Sequence, residues 1–265
     1  THESLDWIHR PMNPDRPGAR NTCMRESRIY RLLCVLTVVL VLSQPVHAAE
    51  AVFRSAPGGT SLLELYSSEG CSSCPPADSW VGSLRSSPGL WMDFVPVAFQ
   101  VDYWDYLGWR DALASPDHTA RQRSYGRLVT PQLLLNGRSF GGFGTAPLKP
   151  KSDAGTLEIR SEGTSSYRVR FKSSGADSGG LVAHVALLGF GVASNVTRGE
   201  NGGSVLRHEF VVLDHAQRPL DDGQAAVSLR PHPAVRTSRM GVAAWVSRGD
   251  DPTPLQAAGG YLGQE

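Results

Sequence analysis

Apolar and polar positions follow two regimes along this chain, and the change falls near Pro147. Before it, apolar runs of strand length alternate with segments of helical spacing. Ser61 to Tyr66 (SLLELY) predicts a strand, and Pro75 to Arg85 repeats Ala77, Trp80, Val81 and Leu84 at helical intervals. Phe94 to Val101 (FVPVAFQV) predicts a buried strand. Ser115-Pro116-Asp117 opens a second helix with a cap residue, a first-turn proline and an acid. Gln132 to Leu135 predicts a third strand, and Asn136-Gly137 after it is a strong hairpin signal. Strand, helix, strand, helix, strand and hairpin in this order predict an α/β layer over residues 49–146.

A proline- and lysine-rich stretch (PLKPKS) marks 147–154 as a linker. Beyond it, residues 155–265 predict a β-rich domain. Strands are expected at Thr156–Arg160, Tyr167–Phe171, Leu181–Leu188, Leu206–Leu213, Ala225–Leu229 and Gly241–Val246, separated by Gly-, Ser- and Asp-rich turns. That spacing predicts a small antiparallel sandwich.

Residues 1–48 read as an extension and an export signal. Thr1 to Asn21 has no periodic apolar positions, and the pattern places the start at Met24. Arg25, Arg28 and Arg31 form a basic region before the apolar run Leu32–Leu42, and Val46-His47-Ala48 supplies small residues for cleavage. The run is about half of the ~20 apolar residues that a membrane span needs. Cleavage after Ala48 would direct the remaining 217 residues to the periplasm or beyond. It would leave 20 basic against 21 acidic groups, a balance that argues against nucleic acid as partner. It would also remove Cys23 and Cys34, leaving Cys71 and Cys74 in a compartment where disulfides persist.

Those two cysteines carry the chemistry. CSSCPPAD follows a strand and a turn and precedes a helix whose first positions are prolines, where the missing N–H costs nothing. Cys71 is therefore expected near free backbone N–H groups and the positive end of a helix dipole, which favours the thiolate and makes it the attacking group. Cys74 is then the resolving thiol. A structural staple and a metal-binding pair are the alternatives. Closing so short a loop stabilises by only about 2 kcal/mol in the loop-entropy account, and a domain of this size can bury a core without it. The favoured function is thiol–disulfide exchange on exported protein or peptide thiols and disulfides, with a membrane redox protein as a further partner. The alternatives are a redox-inert binding module and a carrier of a soft metal ion. No cofactor and no metal site are expected.

Other residues are candidates by position. Pro131 after Thr130 stands at the mouth of the third strand, where a proline marks a strand start; beside a redox pair, a cis bond there is expected. Asp102, Tyr103, Trp104 and Asp105 open the run DYWDYLGW after the second strand, a place where α/β layers gather sites. They are read as a substrate platform or as plugs and turn caps. Glu64, inside an apolar strand, is a candidate proton relay or an outward-facing carboxylate. His118, in a first helical turn, is expected at the surface, and Asp78 as a helix-dipole residue.

ELYSSEGCSSCPPAD, VDYWDYLGW, TARQRSY and TPQLLLNG, in this order, resemble a secreted bacterial thioredoxin-like family, domain of unknown function 1223. RGENGGSVLRHEFVV resembles a segment of that family's β-rich C-terminal part. The resemblance implies a thioredoxin-like core with Cys71, Cys74 and Pro131 at matching positions, and implies no substrate. The chain departs from the pattern at Gln100, where a histidine is expected. It is also short between Tyr125 and Thr130, and no amphipathic closing helix follows Gly137.

Overall fold

In the computed structural model, residues 50–147, 154–175, 179–233 and 235–263 are described. The expected extension and signal, and all but the ends of the expected linker, lie outside them. Fourteen strands and two α-helices are present among the described residues. They are β1 (Val52–Arg54), β2 (Ser61–Ser67), α1 (Pro75–Ser83), β3 (Phe94–Gln100), α2 (Pro116–Ser124), β4 (Gln132–Leu135), β5 (Arg138–Ser139), β6 (Gly155–Glu162) and β7 (Ser166–Ser173). Then come β8 (Leu181–Phe190), β9 (Val192–Asn195), β10 (Val205–His208), β11 (Val211–Pro219), β12 (Gln224–Ser228), β13 (Arg239–Arg248) and β14 (Asp251–Leu262).

The expected α/β thioredoxin-like layer followed by a separate sandwich is not what forms. The protein is mostly β, with 47% of the described residues in strands and 12% helical. Strands from both sides of the expected linker build one eight-stranded sheet in the order β14-β13-β8-β11-β3-β2-β4-β5. Only β2 with β3, over seven residue pairs, and β11 with β3, at Val211 and Ala98, run parallel within it. A second sheet, β1-β6-β7-β12, is antiparallel throughout, and β9 with β10 makes a separate ribbon.

Burial explains the difference. Along β8, Ala183, Val185 and Leu187 pack with Leu157, Ile159, Val169 and Phe171 of the second sheet. The intervening Ala186, Leu188 and Phe190 join the core that Ala77, Val81 and Leu84 cover from the α1 segment. Strand β13 divides likewise, with Val242, Ala244 and Val246 on one side and Ala243 and Trp245 on the other. Strands buried on both faces belong to the middle of a layered molecule, not to a two-sheet sandwich with a wet outer face. The longest strand, β14, carries Pro252, Pro254, Gly259 and Gly260, which hid it from pattern reading. It forms the sheet edge, where a missing N–H is tolerated.

The N-terminal elements form for local reasons. All seven residues of β2 and of β3 are buried, as their continuous apolar runs require. The Ser115 hydroxyl accepts from Asp117 N at 3.2 Å and caps α2, a bond worth about 1 kcal/mol. Asn136 and Gly137 both take positive φ (50° and 74°), the two-residue turn that joins β4 to β5.

Candidate functional site around the cysteine pair

Strand β2 ends at Ser67, and the chain turns through Ser68-Glu69-Gly70 into the cysteine loop. Cys71 N donates to Ser68 O and Cys74 N to Cys71 O, each at 3.2 Å. Cys74 occupies the cap position of α1, and its carbonyl accepts from Ala77 N at 2.9 Å and Asp78 N at 3.1 Å. Cys71 and Cys74 are joined in a disulfide with Cα atoms 5.5 Å apart. The serines between them are exposed, yet Cys71 and Cys74 are 1% and 0% exposed.

A distant segment holds this loop shut. Glu200 accepts from Ser72 N at 2.9 Å and from its hydroxyl at 2.7 Å. The Asn201 amide donates to Glu69 O at 2.8 Å and to Cys71 O at 3.0 Å. These side chains belong to the RGEN run between β9 and β10, which thereby lies over the cysteine loop.

Beneath it is a buried charge network. His208, at the end of β10, places Nε2 3.0 Å from Glu69 and Nδ1 3.5 Å from Asp78. The Ser67 hydroxyl donates to the other Asp78 oxygen, and Trp109 Nε1 donates to Glu69 at 2.7 Å. Asp78 is therefore a partner of the imidazole as well as a first-turn acid. Burial alone would lower the basicity of His208, but its bonds to Asp78 and Glu69 outweigh this and push it up to about 10. Burial works against ionised Glu69 too, and the hydrogen bond from His208 is the largest influence holding it below the ordinary carboxylate value. Asp111 accepts from Leu113 N at 2.8 Å and weakly from Glu69 N at 3.4 Å. Burial, with the Glu69 charge second, pushes it up to about 7. The hydrogen-bonded carboxylates thus favour the protonated form of His208, and burial beside Glu69 favours that of Asp111.

The aromatic loop and the proline segment meet at the same place. The Thr130–Pro131 bond is cis. Trp104 Nε1 donates to Thr130 Oγ1 at 2.8 Å, tying the two loops together. A Cβ on Gly70 would fall 2.9 Å from Trp104 Cβ, so the aromatic loop packs directly on the residue before Cys71. Asp102 accepts from the Thr119 hydroxyl at 2.6 Å and Asp105 from Asp111 N at 3.3 Å, so both carboxylates are engaged within the fold. Tyr103 is half-buried, and the exposed ring of the run is Tyr106, at 78%.

Glu64 lies elsewhere. Its carboxylate is fully buried and accepts from Arg121 Nε at 2.8 Å, Tyr66 at 2.9 Å and Tyr125 at 2.7 Å. Three donors hold it within the fold, Arg121 among them; the carboxylate beside the cysteine loop is Glu69. His118, expected at the surface, is buried: its Nδ1 lies 2.9 Å from Gln100 O, and burial lowers its basicity. Among the described residues, no group of three or more His, Cys, Asp or Glu is placed to hold a metal ion, and no helix is long and apolar enough to cross a membrane.

The model of a family described as a protein of unknown function, DUF1223, matches residues 62–247, most of the chain and every residue of this site. The chain belongs to that family. No curated protein matches it. Two of the solved structures that resemble this DUF1223 chain cover most of its length. One is a structural-genomics target from Agrobacterium tumefaciens, 24% identical, covering 78% of this chain and 96% of its own, with a TM-score of 0.47. The other, HBP35 of Porphyromonas gingivalis, is 11% identical with a TM-score of 0.52, covering 78% of this chain and 76% of its own. The second is a likeness of fold.

Proposed function

We propose that this DUF1223 protein is a thiol–disulfide oxidoreductase acting on exported protein or peptide thiols through Cys71 and Cys74, with a membrane redox protein as its second partner. The observation that carries the reading is a CxxC disulfide, capped onto the start of α1, beside a buried Asp78–His208–Glu69 network. In the exchange, a substrate thiolate attacks Cys71 Sγ, the Cys71–Cys74 bond breaks, and the electron pair leaves on Cys74. A second substrate thiolate then attacks the substrate sulfur of the mixed disulfide and releases Cys71. Two electrons pass from the substrate dithiol to the protein, and a disulfide partner must take them away again. The apolar run at Leu32–Leu42 and the reliance on a disulfide favour an oxidising, exported location.

The burial of both cysteines favours a second reading, a passive disulfide within a binding module. One experiment separates them. Oxidised protein is mixed with a reduced two-cysteine peptide, and both redox states are followed by mass spectrometry. The exchange reading expects peptide oxidation by the wild type, and expects Cys74→Ser, whose free Cys71 is given the oxidised peptide instead, to break the peptide disulfide and stop at a mixed disulfide on Cys71. A disulfide that survives excess peptide unchanged sinks it.

A further inference from the structure

A groove of about 770 Å³ opens beside the disulfide, between α1 and β10. Pro75, Asp78 and Ser79, directly after Cys74, line one side, and Val205 to His208 line another. Its charges are unequally satisfied. Asp78 is held by His208, and Glu209 by Arg85 at 2.8 Å. Arg207 and Arg239 also line the groove, and neither has a carboxylate partner among the described residues. The Arg239 guanidinium instead lies 4.0 Å from the centre of the Tyr261 ring, and its Nε is a buried donor with no hydrogen-bond partner. A buried donor left unpaired is costly, which makes it a place where an acceptor from outside gains most.

The backbone adds a second feature. β10 pairs with β9 on one edge, and among the described residues no strand pairs with the other. An open edge offers main-chain donors and acceptors to an added strand. Val205, 59% exposed on this strand, supplies apolar surface beside the cations. Guanidinium groups match carboxylates in a two-point geometry, so charge and shape favour the same occupant.

We propose that this groove binds an acidic, extended peptide segment of the protein whose thiols meet Cys71 and Cys74. Its carboxylates lie on Arg207 and Arg239, and its backbone runs along the open edge of β10. The identity of that partner rests on the oxidoreductase reading, whereas the groove's preference for acidic peptide does not. The test uses the oxidised full chain and a fluorescein-labelled, cysteine-free peptide of alternating Glu and Val, read by fluorescence anisotropy. A peptide with Lys in place of Glu serves as the control. The acidic peptide should bind, weaken with added salt, and lose at least tenfold in affinity in Arg207→Gln/Arg239→Gln, a variant whose fold is checked by its thermal midpoint. Equal binding of the Lys peptide, or unchanged affinity in the variant, overturns the proposal. Reduction of the wild-type disulfide by a dithiol peptide is measured separately. Exchange without acidic-peptide binding removes the groove alone, and binding without exchange removes the oxidoreductase reading while the groove stands.

Discussion

The side-chain amide of Asn201 donates to the main-chain carbonyl of Cys71 at 3.0 Å, across 130 residues of chain. With the Glu200–Ser72 pair, it brings part of the β-rich region over the cysteine loop, whose Cys71 and Cys74 are both buried. Attack on a disulfide depends on access to the sulfur as well as on the attacking thiolate. The contacts that cover the loop therefore oppose the exchange proposed for it.

Removing those contacts should accelerate reduction. Glu200→Ala/Asn201→Ala loses four hydrogen bonds, two at the exposed Glu200 and two at the partly buried Asn201 amide. The double variant should be modestly less stable, and dithiothreitol should reduce its disulfide several-fold faster than that of the wild type, followed by quenched alkylation. A rate equal to or below wild type means that the RGEN segment does not control access.

The pH dependence of stability should carry the signature of Asp111. Its folded value of about 7 lies above the ordinary 3.8, so between these the folded state holds a proton that the unfolded chain has released. Stability contributed by that proton is lost as pH rises through this window. His208 behaves as a raised base: its contribution is full below 6.5 and fades as pH climbs through about 10. Asp111→Asn imitates the protonated acid and keeps an acceptor for Leu113 N. In urea titrations at pH 5 and pH 8, the wild type should lose at least about 1 kcal/mol more than the variant between the two values. Equal losses would place the Asp111 titration outside this interval.

Much of the first half was legible because its signals are local. Ser115 and Pro116 announce α2, Asn136-Gly137 announces the hairpin, and the buried runs of β2 and β3 announce themselves. The sheet that joins the two halves was not legible, since alternation cannot separate β8 and β13, buried on both faces, from sandwich strands. The site divides in the same way. Cys71 and Cys74 form a motif within one turn, whereas His208 is 139 residues from Glu69 and nothing in its run marks it for that partner. Glu69 lay inside the quoted motif, but a glutamate in a turn is ordinarily solvated; its burial is a product of Trp109 and His208 closing on it.

Gly70 offers a test of how tightly the aromatic loop governs the cysteine segment. Its backbone needs no positive φ, so the demand for glycine comes from space alone. A methyl group there would meet Trp104 Cβ at 2.9 Å and Trp104 O at 3.3 Å. Neither atom is the far end of a flexible side chain, so Gly70→Ala must push the main chain of the aromatic loop away. Overpacking of this kind costs about 1–3 kcal/mol. The displacement should also stretch the 2.8 Å bond from Trp104 Nε1 to Thr130, the link between the aromatic and proline loops. Two readings check this on one variant: a lowered thermal midpoint, and a change in the rate of exchange with a dithiol peptide. Trp104→Phe, which removes the indole donor without crowding Gly70, separates the causes. If both variants change the exchange rate, the Trp104–Thr130 link matters to the site. If Gly70→Ala loses stability while neither variant alters exchange, the aromatic loop serves packing alone and the proline segment is held by other contacts.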